Sequence, residues 1–206
     1  QLGSGKAVDE NTLFACASTT KAMTATAMGI LVDQGKVKWD DPVIKYLPGF
    51  KLYDAYVTRD LRVRDLFLHN TGVGNTDFLW GTNSLTADEI LDRMQYVHPS
   101  YPYRAGFIYQ NIFYLVAGKV IEKASGQSWG DFLTAHIFKP LGMDRTRTNI
   151  TGMPDDDFSH PHYRIDNVVT PILFDTADVV GPAGSVRSSI KDITLWIKAM
   201  VDSSKY

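Results

Sequence analysis

The sequence predicts a mainly helical chain of mixed α/β character, with too few strands for a balanced α/β domain. Two patterns carry this expectation. Apolar residues recur at helical spacing in stretches bounded by cap and stop residues, whereas strand-like runs are confined to three short segments. Size agrees with a folded body: 206 residues, 44% hydrophobic and 12% aromatic, can bury roughly 70% of the surface that the unfolded chain exposes.

In chain order, Thr12 to Ala15 reads as a strand leading into a helix from Ser18 to Gln34. That helix is rich in Ala and Met, puts Met23, Ala27, Ile30 and Leu31 on one face, and meets Gly35 where a C-terminal stop belongs. Asp40, Asp41 and Pro42 open a short helix through Tyr46, ended by Pro48 and Gly49. Arg64 to His69 reads as a third helix. Thr86 and Glu89 are spaced as a capping box for a helix through about Gln95. Further helices are expected from about Asn111 to Lys123, with Gly126 just beyond, and from Ser128 to about His136, before Pro140. Ser189 and Asp192 introduce the last, ending near Ser203. The remaining strand candidates are Ile165 to Pro171 and Val179 to Val186. No repeat, low-complexity run or linker divides the sequence, so residues 1–206 read as one domain.

A net charge of −2, from 21 basic and 23 acidic residues spread along the chain, provides no field for nucleic acid or anionic lipid, and neither is expected as a partner. Apolar runs such as Ile112 to Ala117 fall far short of the roughly 18 residues of a membrane span, so no transmembrane segment is expected. The single cysteine, Cys16, has no partner for an internal disulfide. The chain begins at Gln1 and not at Met, which leaves room for a removed leader and a periplasmic or secreted location.

The residues that carry chemistry lie at the start of the first long helix. Ser18-Thr19-Thr20-Lys21 is an SxxK pattern, and three-residue spacing on a helix brings the two side chains to one face. A serine hydroxyl is a weak nucleophile without an adjacent base, and a desolvated lysine can serve because burial favours its neutral form. The helix N-terminus adds partial positive charge suited to an oxyanion. About one SxxK is expected by chance in a chain of this composition, and the pattern recurs at Ser188 to Lys191, where Ser188 and Ser189 read as helix caps and Lys191 as a solvated residue.

Context separates the two copies. Phe14-Ala15-Cys16-Ala17-Ser18-Thr19-Thr20-Lys21-Ala22-Met23-Thr24 resembles the nucleophile segment of serine β-lactamases. Arg64-Asp65-Leu66-Phe67-Leu68-His69-Asn70-Thr71-Gly72 is similar to the RDLLTHTSG stretch of that superfamily, and Tyr109-Gln110-Asn111 to its YxN motif. Pro140-Leu141-Gly142-Met143 and Pro182-Ala183-Gly184-Ser185 resemble two further landmarks, in the same order. The resemblance is to class C β-lactamases, D-alanyl-D-alanine carboxypeptidases of the penicillin-binding type and β-lactamase-like carboxylesterases; class A is disfavoured by YxN in place of SDN. It implies an α/β (α+β) serine β-lactamase and transpeptidase-like fold, of which these residues supply mostly the helical part. It also implies a serine hydrolase with no metal or cofactor, in which Ser18 is acylated by a β-lactam, a D-amino-acid peptide or a small ester. Lys21 would be the proton partner, Tyr109 the relay, and Asn111 a contact to substrate or to Lys21. Whether Lys21 or Tyr109 is the base stays open.

One departure counts against completeness. The superfamily's third motif, Lys-Thr-Gly or His-x-Gly on a closing strand, has no counterpart here, nor do the first and last strands of its sheet. The expectation is a fragment, incomplete at both ends, whose uncovered helix faces would be exposed or would self-associate. The absent motif also motivates an alternative, a non-catalytic binding or scaffold protein. His160 and His162, near Asp155 to Asp157, read as a solvated loop, because no third metal ligand sits on a defined element. His69 reads as structural, and Phe78, Trp80 and Phe107 as core aromatics with pocket lining as the other reading.

Overall fold

A computed structural model describes residues 3, 5–82, 84–150, 157–173 and 177–202. A short strand β1 (Phe14–Ala15) turns at a single 3-10 turn, Ala17–Thr19, into helix α1 (Thr20–Asp33), which Gly35 ends with φ +70°. Val43–Lys45 and Val63–Phe67 are 3-10 turns and not full helices. Between them lies helix α2 (Ala55–Asp60), which the apolar pattern does not signal because the helix is mostly exposed; Asp54 caps it, accepting from the amides of Tyr56 and Val57. Helix α3 (Ala87–Arg93) begins with the expected reciprocal bonds of Thr86 and Glu89 and tightens to 3-10 over Met94–Tyr96.

Helix α4 (Ile112–Ser125) is buried along most of its length and stops at Gly126 in the left-handed region. Ser128 caps α5 (Trp129–Leu133), which continues through one π turn (Thr134–Phe138) into α6 (Lys139–Leu141). The expected end before Pro140 is therefore corrected: Pro140 sits in the first turn of α6, where its missing N–H costs little. The Ile165 to Pro171 segment is not one strand: it spans the end of β2 (His162–Ile165), a turn and β3 (Val168–Pro171), which pair as a hairpin. Asp166 and Asn167 form its two-residue turn, both with positive φ, a conformation that short polar side chains tolerate.

Val179 to Val186 is not a strand. Ala177–Val180 is a 3-10 turn and Gly181–Gly184 is helix α7, because Pro182 cannot donate to a ladder but fits a helical first turn. Only β4 (Arg187–Ser188) is extended, paired antiparallel with β1 through Phe14 with Ser188 and Ala15 with Arg187. Ser189 caps helix α8 (Ile190–Val201), whose sequence-expected end near Ser203 lies outside the described residues. Ile190, Ile197 and Val201 share an exposed face of α8.

The core forms around α1 and α4. Met23, Ala27, Met28 and Leu31 of α1 and Ile112, Phe113, Val116 and Val120 of α4 belong to one buried cluster with Trp129, Phe132 and Phe138. Helix α7 packs against both. Its approach requires Gly118, since a Cβ there would lie 2.3 Å from Pro182 Cγ. The landing of α7 is fixed by polar bonds: Thr24 Oγ1 donates to Pro182 O at 2.8 Å, and Trp129 Nε1 donates to Thr24 Oγ1 at 3.1 Å. No helix among the described residues is long and apolar enough to cross a membrane.

Candidate active site

Ser18 stands at the corner between β1 and α1. The preceding Ala17 adopts φ +46°, costly for a residue with a Cβ, so the corner must be held from outside. The chain around β4 does this: Cys16 N donates to Val186 O at 2.8 Å, and Val186 N donates to Thr20 Oγ1 at 3.2 Å. Ser18 stays exposed, while Lys21, one turn on, is only 7% exposed. Burial pushes the Cys16 thiol up, away from the reactive thiolate.

Lys21 Nζ donates to Ser18 Oγ at 3.0 Å, to Asn111 Oδ1 at 2.8 Å and to Ala183 O at 2.8 Å. An ammonium has three protons, and these acceptors use all of them. Burial pushes Lys21 below the ordinary lysine range, opposed by hydrogen bonding and attraction from Tyr109 and by attraction from Asp77. Tyr109 Oη donates to Ser18 Oγ at 2.6 Å, and its ring lies 4.7 Å from Lys21 Nζ. The four residues singled out in the sequence thus meet in one place. The second SxxK does not: Ser188 is buried against Thr146 Oγ1 at 2.8 Å, and Lys191 is exposed. Ser189 is the cap there; Ser188 belongs to β4, which corrects its reading as a cap.

Tyr109 and Asn111 approach from a loop that two networks immobilise. Arg104, at φ +63°, makes a bidentate pair with the buried Asp65, Nε to Oδ1 at 3.0 Å and Nη2 to Oδ2 at 2.7 Å. Tyr103 Oη donates to the same carboxylate at 2.6 Å. Nearer the site, the buried Gln110 donates its amide to Val73 O at 2.8 Å and to Gly74 O, and its backbone N–H donates to His69 Nδ1 at 3.1 Å. His69 is therefore an acceptor at Nδ1, and burial and the Lys21 charge both push it below the ordinary histidine range, towards the neutral form. Its ring stacks on Tyr109 with centroids 4.6 Å apart.

Residues that sequence reasoning passed over include Gln110, the unnamed middle of YxN, Asp77, and the Ala183 carbonyl. Gln110 and Ala183 lay within quoted landmarks without a role, and Asp77 lay outside them all. Asp77 Oδ1 accepts from Asn111 Nδ2 at 3.0 Å and from Trp80 Nε1 at 2.8 Å. The expectation that Phe78 and Phe107 are core is corrected: they are 68% and 69% exposed, while Trp80 is half-buried. His160 stacks on Phe158, and His162 opens β2. Among the described residues no three ligand side chains cluster as a metal site; Asp155 and Asp156 lie outside them. A cavity of about 400 Å³ lies between α4, α5 and α7, lined by residues such as Lys119, Glu122, Asp131 and Asp178, and shares none of the four site residues.

The beta-lactamase family pattern matches residues 1–205. The chain belongs to the beta-lactamase family. This family member is 30% identical to the unguisins hydrolase ungD' of Aspergillus campestris over 94% of its own length and 39% of that protein. It is 32% identical to penicillin-binding protein 4 of Amycolatopsis lactamdurans, over 71% of its length and 39% of the relative. Among solved structures, the D-amino acid amidase of Ochrobactrum anthropi SV3 superposes with a TM-score of 0.81 at 26% identity, covering 96% of this chain and 58% of that one. The octameric penicillin-binding protein homologue of Pyrococcus abyssi gives 0.78 at 25%, covering 95% and 46%. The family member described here therefore spans about two fifths of the curated relatives named and about half of the solved ones.

Proposed function

We propose that this chain carries the nucleophile and proton-transfer groups of a serine hydrolase that forms an acyl-enzyme with a β-lactam, a D-amino-acid peptide or amide, or a small ester. The observation that supports this is the contact of the hydroxyl oxygen of an exposed serine residue with both a buried lysine, at 3.0 Å, and a tyrosine hydroxyl, at 2.6 Å. In this reading Ser18 Oγ attacks the acyl carbonyl carbon, its proton leaves to the tyrosine and lysine pair, and the carbonyl becomes an oxyanion. Collapse of that intermediate expels the amine or alcohol, which takes the proton, and leaves the acyl group on Ser18. Water then hydrolyses the ester by the same route in reverse. Because Lys21 already carries three protons, each with an acceptor, we assign the serine proton to Tyr109 acting as the phenolate beside the Lys21 cation, so that in the reacting form the 2.6 Å hydrogen bond runs from Ser18 Oγ to Tyr109 Oη. Asn111 holds Lys21 in place.

The experiment is covalent labelling of the full-length protein by a fluorescent fluorophosphonate and a fluorescent penicillin. Ser18→Ala should abolish labelling, and Ser188→Ala should leave it intact. Labelling that survives Ser18→Ala would overturn the assignment, and a wild-type protein that neither reagent labels would favour a binding or scaffold role.

A further inference from the structure

Two features single out the carboxylate of Asp77. Its Oδ1 accepts from Asn111 Nδ2 at 3.0 Å, and the other end of the same carboxamide accepts from Lys21 Nζ at 2.8 Å. A carboxamide has one donor end and one acceptor end. With a carboxylate on one side and an ammonium on the other, only one orientation satisfies both. Turned over, Asn111 would set its NH₂ against Lys21 and its oxygen against Asp77, losing two charge-assisted bonds at once.

Asp77 is itself well held. Trp80 Nε1 donates to its Oδ1 at 2.8 Å, Asn75 Nδ2 to its Oδ2 at 3.2 Å, and its own backbone N–H donates to Asn75 Oδ1 at 2.9 Å. The residue before it, Thr76, is buried and donates its hydroxyl to Gln110 Oε1 at 3.1 Å, so the Asp77 turn and the Tyr109–Asn111 segment are tied together on both sides of Gln110. An acid so fixed, with its charge relayed through one amide to the lysine beside the nucleophile, has a use beyond capping a turn.

We propose that Asp77 is a positioning residue for acyl transfer: it locks the Asn111 carboxamide with its oxygen towards Lys21 and thereby keeps Lys21 aimed at Ser18. The inference rests on the acyl-transfer reading above and adds a residue to it. Asp77 also acts on Lys21 through space, its negative charge favouring the ammonium form against burial. The other titratable groups facing Lys21 are Tyr109 and Tyr114, with rings 4.7 and 5.2 Å from Nζ, and His69, which responds to the lysine charge. Of these, only Asp77 presents a carboxylate.

The test follows the rate of fluorophosphonate labelling of the full-length protein across pH. Asp77→Ala frees the Asn111 amide and should slow labelling by about tenfold or more. Asp77→Asn keeps an acceptor for Asn111 and Trp80 but drops the charge. It should recover most of that loss while the limb of the profile carried by Lys21 moves to lower pH. Combined with Asn111→Ala, Asp77→Ala should add no further loss, because the two act in series. An Asp77→Ala protein labelled at the wild-type rate, or losses that multiply in the double variant, would overturn the proposal. Should Asp77→Ala fail to fold, an unshifted profile in Asp77→Asn overturns it equally. Failure of the wild type to label at Ser18 is a different result, and it removes the acyl-transfer reading together with this addition.

Discussion

Replacing Gly118 by Ala tests how the interior of the helix pair sets the geometry of the site. On an exposed helix the change would stabilise by up to about 1 kcal/mol, since glycine is the poorer helix former. Here the new methyl would meet Pro182 Cγ at 2.3 Å and Cβ at 3.1 Å, and a pyrrolidine ring cannot rotate away. To restore a 3.4 Å contact the ring must retreat by about 1.1 Å, carrying α7 with it. Overpacking of this kind costs about 1–3 kcal/mol, so after a helix-propensity gain of about 1 kcal/mol the balance is a loss of up to about 2 kcal/mol, or up to roughly 8 °C in melting temperature for a chain of this size. The larger effect falls on the site. Ala183 O, next to Pro182, accepts from Lys21 at 2.8 Å, and a displacement near 1 Å takes it beyond hydrogen-bonding range. Losing one charge-assisted bond at Lys21 should slow fluorophosphonate labelling by roughly tenfold or more. Gly29→Ala in α1, where nothing lies within 4 Å of the new methyl, is the control and should stabilise without slowing labelling. A Gly118→Ala protein that melts higher than wild type and labels at the wild-type rate would show that the seat of α7 on α4 does not set the geometry at Lys21.

Other expectations follow from the loop that carries Tyr109. Asp65 is buried, and burial alone would raise its carboxyl, but bonds from Arg104 and Tyr103 outweigh this and hold it below the ordinary carboxylate value of 3.8. A depressed folded-state pKa contributes stability that is present above the unfolded value and is lost as pH falls through the folded one, so acid unfolding should steepen below about pH 4. Asp65→Asn should flatten that limb and cost about 2–4 kcal/mol by urea unfolding, discounted from a fully buried pair because Arg104 is 37% exposed; an unchanged acid limb would remove Asp65 from the account. Tyr109→Phe keeps the ring stacked on His69 and deletes only the hydroxyl, so it should lower the acylation rate by about 10²-fold or more with melting temperature nearly unchanged. Equal labelling rates in that variant and wild type would leave Lys21 as the base.

Much of the helical frame was legible because its signals are local. The stop glycines at 35 and 126, the Thr86 and Glu89 box and the Ser189 cap act within a turn or two of their helices. The sequence misled where tertiary contacts decide. Val179 to Val186 has strand-forming residues, yet it coils into α7 because Gly118 leaves room for Pro182 and because Thr24 and Lys21 supply donors to its carbonyls. Asp166 and Asn167 sat inside a presumed strand since a two-residue turn leaves little trace in apolar alternation. In the site, Ser18, Lys21, Tyr109 and Asn111 were found through motif spacing. Asp77 and Gln110 were not, because an acid on a 3-10 turn and a glutamine between two motif residues look ordinary until their partners are known.

The corner at Ser18 has a consequence in time. The partners that hold it, Val186 for Cys16 and Thr20 and Ala183 for Lys21, come more than 160 residues later in the chain. During synthesis at 5–20 residues per second, the serine emerges on the order of ten seconds or more before the segment that bends its backbone into place. Until then Ala17 has no reason to adopt its unfavourable conformation, and Lys21 lacks one of its acceptors. In the proposed acyl transfer, Ser18 would therefore stay unarmed through most of elongation and become a nucleophile only when the β1 and β4 ends meet.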